Sequence, residues 1–150
     1  MAVTIAPETE CMIAIRDRIN AGANYGIPFR AAYSDTAVDV LEESNDLKVD
    51  VTVEESEQLN ETLATEDRTS HLVRIWIRKK LRSQNSCDVD PVRLIARQIF
   101  QQVNNWDSSD GRVTVWEAEF EPKQVPDKDT LRQSSLFLSS IALRVEVESS

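Results

Sequence analysis

The clearest pattern in the chain is "LKVDVTVEE", where Leu47, Val49, Val51 and Val53 alternate with Lys48, Asp50, Thr52 and Glu54. A period of two puts successive side chains on opposite faces of a strand, so one face is expected on a core and the other in water or against a polar partner. The stretch "SHLVRIWIRKKL" has the same build, with Val73, Ile75 and Ile77 on one side and Leu72, Arg74, Trp76 and Arg78 on the other. The polar segment "SEQLNETLATEDRT" between them reads as a loop, and the two runs together predict a long antiparallel hairpin near residues 47–81. The acidic outer face of its first arm then meets the basic outer face of its second. Opposite charges across two strands contribute about 0.2–1 kcal/mol per pair.

Other segments carry the helical period. In "PETECMIAIRDRIN" the residues Cys11, Ile15 and Ile19, with Met12 beside them, form a stripe that leaves Arg16, Asp17 and Arg18 mostly outside. Pro7 suits the first helical position, Glu8 and Glu10 complement the positive helix start, and Gly22 supplies a stop. Turn residues Gly26 and Pro28 then lead into a short strand over residues 29–33. A second helix is predicted with Asp90 as N-cap and Pro91 at N1, its apolar face made of Val92, Ile95, Ala96, Ile99 and Val103. "NNWDSSDG" breaks it. In "RVTVWEAEFEP" a strand is expected with Trp116, Ala118 and Phe120 on one side and Val115, Glu117 and Glu119 on the other. "DKDTLRQSS" reads as a short helix or turn, and Ile141, Leu143, Val145 and Val147 give the last strand a single apolar face.

Two main helices on one side of a mainly antiparallel sheet bury these faces economically, which predicts a two-layer α+β domain spanning residues 1–150. The hairpin is longer than a small sheet needs, and an overhanging hairpin is a natural site for pairing with a neighbouring subunit.

Composition narrows the function classes. The 150 residues carry 26 acidic and 17 basic side chains, a formal charge of −9, so coating of DNA or RNA is disfavoured while a local basic patch stays open. Cys11 and Cys87 make neither a disulfide framework nor a zinc site of about four ligands, and a reduced, intracellular setting is expected. No apolar run approaches the roughly 20 residues that span a bilayer, and "MAVTIAPETE" lacks the build of a signal peptide. A soluble, unexported protein without a membrane partner is the expectation.

No catalytic motif stands out. The lone histidine, His71, lacks a second imidazole, an oriented carboxylate or a nucleophile motif, and reads as structural or solvated. Cys11 falls on the apolar stripe, while Cys87 in "SQNSCDVD" reads as part of a polar loop where Asp88 disfavours a thiolate. Glu54, Glu55, Glu57, Glu61, Glu66 and Asp67 offer hard oxygen atoms but lack the spacing and glycine of a calcium loop, so a solvated hairpin tip is expected. "NWDSSDGR" likewise reads as a turn. Three glycines furnish no phosphate cradle, and neither a cofactor nor a metal nor an enzymatic activity is predicted. The basic stripe of Arg74, Arg78, Lys79, Lys80 and Arg82 with Trp76 remains. Its alternatives are base stacking with phosphate contacts, as in a nucleic-acid-binding accessory module, or ion pairing within or between subunits. The acidic arm alongside favours the ion pairs.

The segment "TSHLVRIWIRKKL…VDPVRLIARQIFQQV", preceded by a helix of the "CMIAIRDRI" kind and followed by a terminal strand like "LSSIALRVEVE", resembles the tail-terminator (tail-completion) proteins of long-tailed bacteriophages. The resemblance is one of length and element order over nearly the whole chain. It implies a small α+β structural protein of the virion, assembled in the host cytoplasm as a homo-oligomer, commonly a hexameric ring. Such a ring caps the tail tube protein, offers a docking surface to the neck or connector protein, and lets DNA pass through its lumen without specific binding. A head–tail connector or another tail subunit is the alternative in the same class. The resemblance carries no catalytic residue. The expected subunit contacts, chosen by strand position, are Asp50, Thr52 and Glu54 on one arm and Arg74, Trp76 and Arg78 on the other, with the solvent face of a monomer as the bland counterpart.

Overall fold

The structure, a computed structural model, describes residues 5–22, 25–34, 46–59 and 67–149. In chain order the elements are α1 (Pro7–Asn20), β1 (Ala32–Tyr33), β2 (Lys48–Leu59), β3 (Asp67–Lys80), α2 (Ser86–Val103), β4 (Val113–Phe120), α3 (Lys128–Ser134) and β5 (Leu136–Ser149). The strands form one mixed sheet in the order β1-β2-β3-β5-β4, antiparallel throughout except for β1 beside β2. The fold is α+β, with α1 and α2 packed on the sheet and against each other.

The core follows the apolar stripes. Cys11, Met12, Ile15 and Ile19 of α1 and Val89, Val92, Ile95, Ala96, Ile99 and Val103 of α2 are buried with Val49, Val51, Val73, Ile75, Ile77, Ile141, Leu143, Val145 and Val147 of the strands. Burying one such side chain is worth about 1.5–3 kcal/mol, so these stripes hold the helices on the sheet. The polar partners of the period-two pattern therefore lie on the opposite face.

Several boundaries differ from the sequence reading. The strand expected over residues 29–33 shortens to Ala32–Tyr33. Asn20 takes Ala31 out of the ladder by donating to its carbonyl at 3.2 Å and accepting from its N–H at 2.8 Å, and Phe29 packs on Tyr25 with ring centroids 4.9 Å apart. The predicted loop from Ser56 is strand as far as Leu59 and again from Asp67, while residues 60–66 lie outside the described residues. One extra residue makes that extension possible. Val53 opposes Val73 but Glu55 opposes Leu72, so the bulge at Glu54 keeps Ser56 on the core side, opposite His71.

The second arm does not overhang. β5 pairs with β3 from Lys80↔Leu136 to Asp67↔Ser149, which makes β3 the centre of the sheet and leaves only β2 extending along an edge.

α2 begins at Ser86, so Asp90 is not its N-cap and Pro91 lies inside the helix. The additional turn brings Val89 into the core, where it is 3% exposed, and Ser83 anchors it by donating to the Asp88 carboxylate at 2.6 Å. The N–H that Pro91 lacks would have reached Cys87, which is exposed, so water can serve the orphaned carbonyl. Cys87 is thus the second helical residue and not part of a loop.

In β4, Val113 and Val115 are buried and so are Ala118 and Phe120, whereas Trp116 is 55% exposed. A register shift between Val115 and Glu117 switches faces in mid-strand. Strict alternation through Trp116 therefore fails, because a bulge adds one residue to one strand only.

Candidate functional site

The outer face of the hairpin gathers all six expected contact residues. Asp50 opposes Trp76 and Thr52 opposes Arg74, so Arg74 and Arg78 reach their carboxylates diagonally and not straight across. Arg74 donates from Nε and Nη2 to the two oxygens of Glu54 at 2.6 and 3.2 Å, from Nη2 to Glu121 at 2.9 Å, and from Nη1 to Ser140 at 3.1 Å. The hydrogen bond to Glu54 comes first among the causes that hold its pKa above the ordinary arginine value. Its guanidinium also lies 5.5 Å from the centre of the Trp76 ring, whose indole N–H donates to Thr52 Oγ1 at 3.2 Å.

Arg78 approaches Asp50 at 3.6 Å, with side chains only 7% and 17% exposed. Two charges taken this far out of water must stay paired, since removing one partner of a buried pair leaves the other desolvated and costs about 3–5 kcal/mol. The outer face is therefore a layer of compensated charges. Arg74 and Arg78 are committed to carboxylates of their own chain, and a phosphate would have to displace Glu54 or Glu121 to reach Arg74. At the end of β3, Lys79, Lys80, Leu81 and Arg82 line a shallow pocket with Asp88.

Glu121 and Ser140 were not foreseen as members of this layer. Glu121 follows the last residue of β4 and Ser140 lies on β5, opposite Trp76, where its hydroxyl donates to the Glu121 carbonyl at 2.5 Å. Only the sheet order brings them to Arg74, and no local pattern announces a contact over such separations.

The other chemistry-bearing residues sit in structural roles. His71 is 1% exposed, with Nδ1 2.7 Å from Ser56 Oγ and Nε2 2.8 Å from Thr69 Oγ1, and burial lowers its pKa despite the opposing influence of Glu8. Burial, followed by the nearby charge of Glu8, pushes the Cys11 thiol up to about 12, which suppresses its thiolate. In "NWDSSDGR", Asp110 accepts from the Ser108 hydroxyl and from the Arg112 N–H, which lower its pKa, and Gly111 at φ +75° closes the turn. Among the described residues no group of three or more His, Cys, Asp or Glu side chains is placed to hold a metal ion, and no helix is long and apolar enough to cross a membrane.

No protein-family model matches the chain, and no curated protein sequence does. A solved structure does. The fold is similar to that of a chain described as "Virion of native gene transfer agent (GTA) particle", with a TM-score of 0.51 at 12% identity over 92% of this chain and 94% of that one. At this identity the likeness is one of fold, and it runs through nearly the whole of both chains.

Proposed function

We propose that this chain is a structural protein of a phage-like virion and acts as a tail terminator: a ring subunit that caps the tail tube and presents a docking surface to the neck or connector protein. The observation that carries the reading is the near-complete coverage, in both directions, of a chain from a gene-transfer-agent virion. The element order that points to a tail terminator from sequence is retained, with β3, the second arm of the long hairpin, at the centre of the sheet.

The physical features are those of an assembly part. On the outer face Glu54 is exposed and Asp50, Arg74 and Trp76 are half-buried, while Thr52 and Arg78 are buried beneath them. A neighbouring subunit would therefore meet the layer at Glu54, Arg74 and Trp76 and could rearrange the Arg74 ion pairs without burying an unpaired charge. A net charge of −9 suits a lumen along which DNA slides by repulsion. No bond is made or broken in this role, so the protein is proposed to be a non-enzyme, assembled in the host cytoplasm and retained in the virion.

Native mass spectrometry tests the reading. A closed oligomer of about six copies is expected. Trp76→Ala, which leaves both arginine ion pairs intact, should weaken the ring while the far-ultraviolet circular dichroism stays that of the parent. Replacement of both Arg74 and Arg78 by Glu should abolish the ring. A monomer at all concentrations would sink the ring reading, and an unchanged ring in both variants would sink this choice of interface. Labelled-particle imaging separates a terminator from a connector or another tail subunit by its position.

A further inference from the structure

We propose that the edge of β2 over residues 53–58, which no described residue covers, is a strand-addition site for an extended segment of a different protein carrying Lys or Arg at alternate positions. This goes beyond the ring interface, which uses the outer face, and it does not depend on the virion role.

The two edges of the sheet are treated differently. Along β4, Ser108 donates its N–H to the Val113 carbonyl at 2.8 Å, Val115 donates to the Trp106 carbonyl at 2.7 Å, Ala118 donates to the Asn104 side chain at 3.1 Å, and Asp107 bridges Thr114. That edge is filled by the chain's own return segment. At the other side β1 covers only Asp50 and Val51, ending with the Ser34 N–H on the Val51 carbonyl at 2.9 Å. Val51 thus points its backbone polar groups away from β3. The two-residue period gives Val53 the same orientation and, after the extra residue Glu54, passes it to Ser56 and Gln58. Among the described residues nothing takes up the backbone groups of this stretch on its outer side. An edge of that kind is a template for another strand.

The side chains select the occupant. Glu54, Glu55 and Glu57 are exposed, and while Glu54 is held by Arg74, Glu55 and Glu57 stand opposite Leu72 and Ser70 and have no cationic partner among the described residues. A second β2 laid antiparallel on this edge would bring glutamates against glutamates, which is destabilising, whereas a strand with alternate cations finds a partner for each. The edge is therefore closed to its own copy and complementary to a basic strand.

The test uses the full chain and a fluorescent peptide of about eight residues that alternates lysine with valine. Fluorescence anisotropy at low salt should show binding. A version N-methylated on alternate residues, and a glutamate-for-lysine version, should each bind at least about tenfold more weakly. Gln58→Pro removes an outward N–H without touching the β2–β3 ladder and should weaken binding by a similar factor. A double variant with Glu55→Lys and Glu57→Lys should reverse the preference toward the glutamate peptide, and a ring mass unchanged in that variant keeps this result separate from the ring interface. The inference is overturned if the lysine peptide does not bind, if N-methylation and Gln58→Pro leave its affinity unchanged, or if the edge proves to hold a second copy of this chain, seen as self-association lost on Gln58→Pro.

Discussion

His71 shows how a residue type that invites a catalytic reading can be a piece of packing. Both ring nitrogens lie within hydrogen-bond distance of hydroxyls, Ser56 and Thr69, and the ring has almost no contact with water. Burial lowers its pKa below the ordinary 6.5, so the unfolded chain takes up a proton at a higher pH than the folded one does. Stability is accordingly intact above about pH 6.5 and is lost as the pH falls below it, until the folded-state pKa is reached. Glu8 on α1 opposes the shift and limits its size. Thermal melts at pH 8 and pH 5 should show this loss, and His71→Gln should shrink the difference between the two. An equal pH dependence in that variant would assign the effect to other groups.

At the scale of elements, the reading of the sequence succeeded wherever one period ran unbroken. The apolar alternations in β3 and β5 and the stripe of α1 are buried as their spacing predicts, and so are Leu47, Val49 and Val51 at β2, while Val53 is half-buried and Thr52 and Arg78 of the polar face are buried as well. The misses share one cause: a local signal was outweighed by a contact formed elsewhere. Asp90 and Pro91 look like a helix start, yet burial of Val89 carries α2 back to Ser86. Since Pro91 then lacks an interior hydrogen bond, Pro91→Ala should stabilise the protein by about 1–3 kcal/mol in chemical denaturation. A destabilised variant would show that the proline is needed where it stands. Trp116 looks like one of a row with Ala118 and Phe120, but the shift in β4 leaves it in water. Trp116→Ala should change stability by less than about 0.5 kcal/mol, whereas Phe120→Ala should cost about 3–5 kcal/mol. Equal costs would place both rings in the core. Bulges are invisible to a period count because they conserve composition and displace only phase. The paired layer around Arg74 was half legible for a related reason: Glu54 lies on the predicted partner arm, while Glu121 and Ser140 arrive through the sheet order.

For the whole molecule, the strand register brings both signs of charge to each end of the long axis. Toward the end where β5 begins lie Lys48, Lys79 and Lys80, and Asp88 lines a pocket with the last two. Toward the end where it finishes lie Glu146 and Glu148, with Arg68 3.7 Å from Glu148 and Arg112 donating to the Glu148 carbonyl at 3.2 Å. Composition alone gives only a total, and it is the pairing of β3 with β5 that sets acids beside bases. In the proposed ring, neighbours are then matched by local ion pairs.

The filled edge of β4 has a further consequence for growth. A sheet with two open edges can accept a strand on each side and run on into a fibre, whereas this one, among the described residues, has a binding valence of one. The return segment of residues 104–108 has already ended the ribbon on the β4 side, so strands can join on the β2 side alone. Growth of this sheet has one direction.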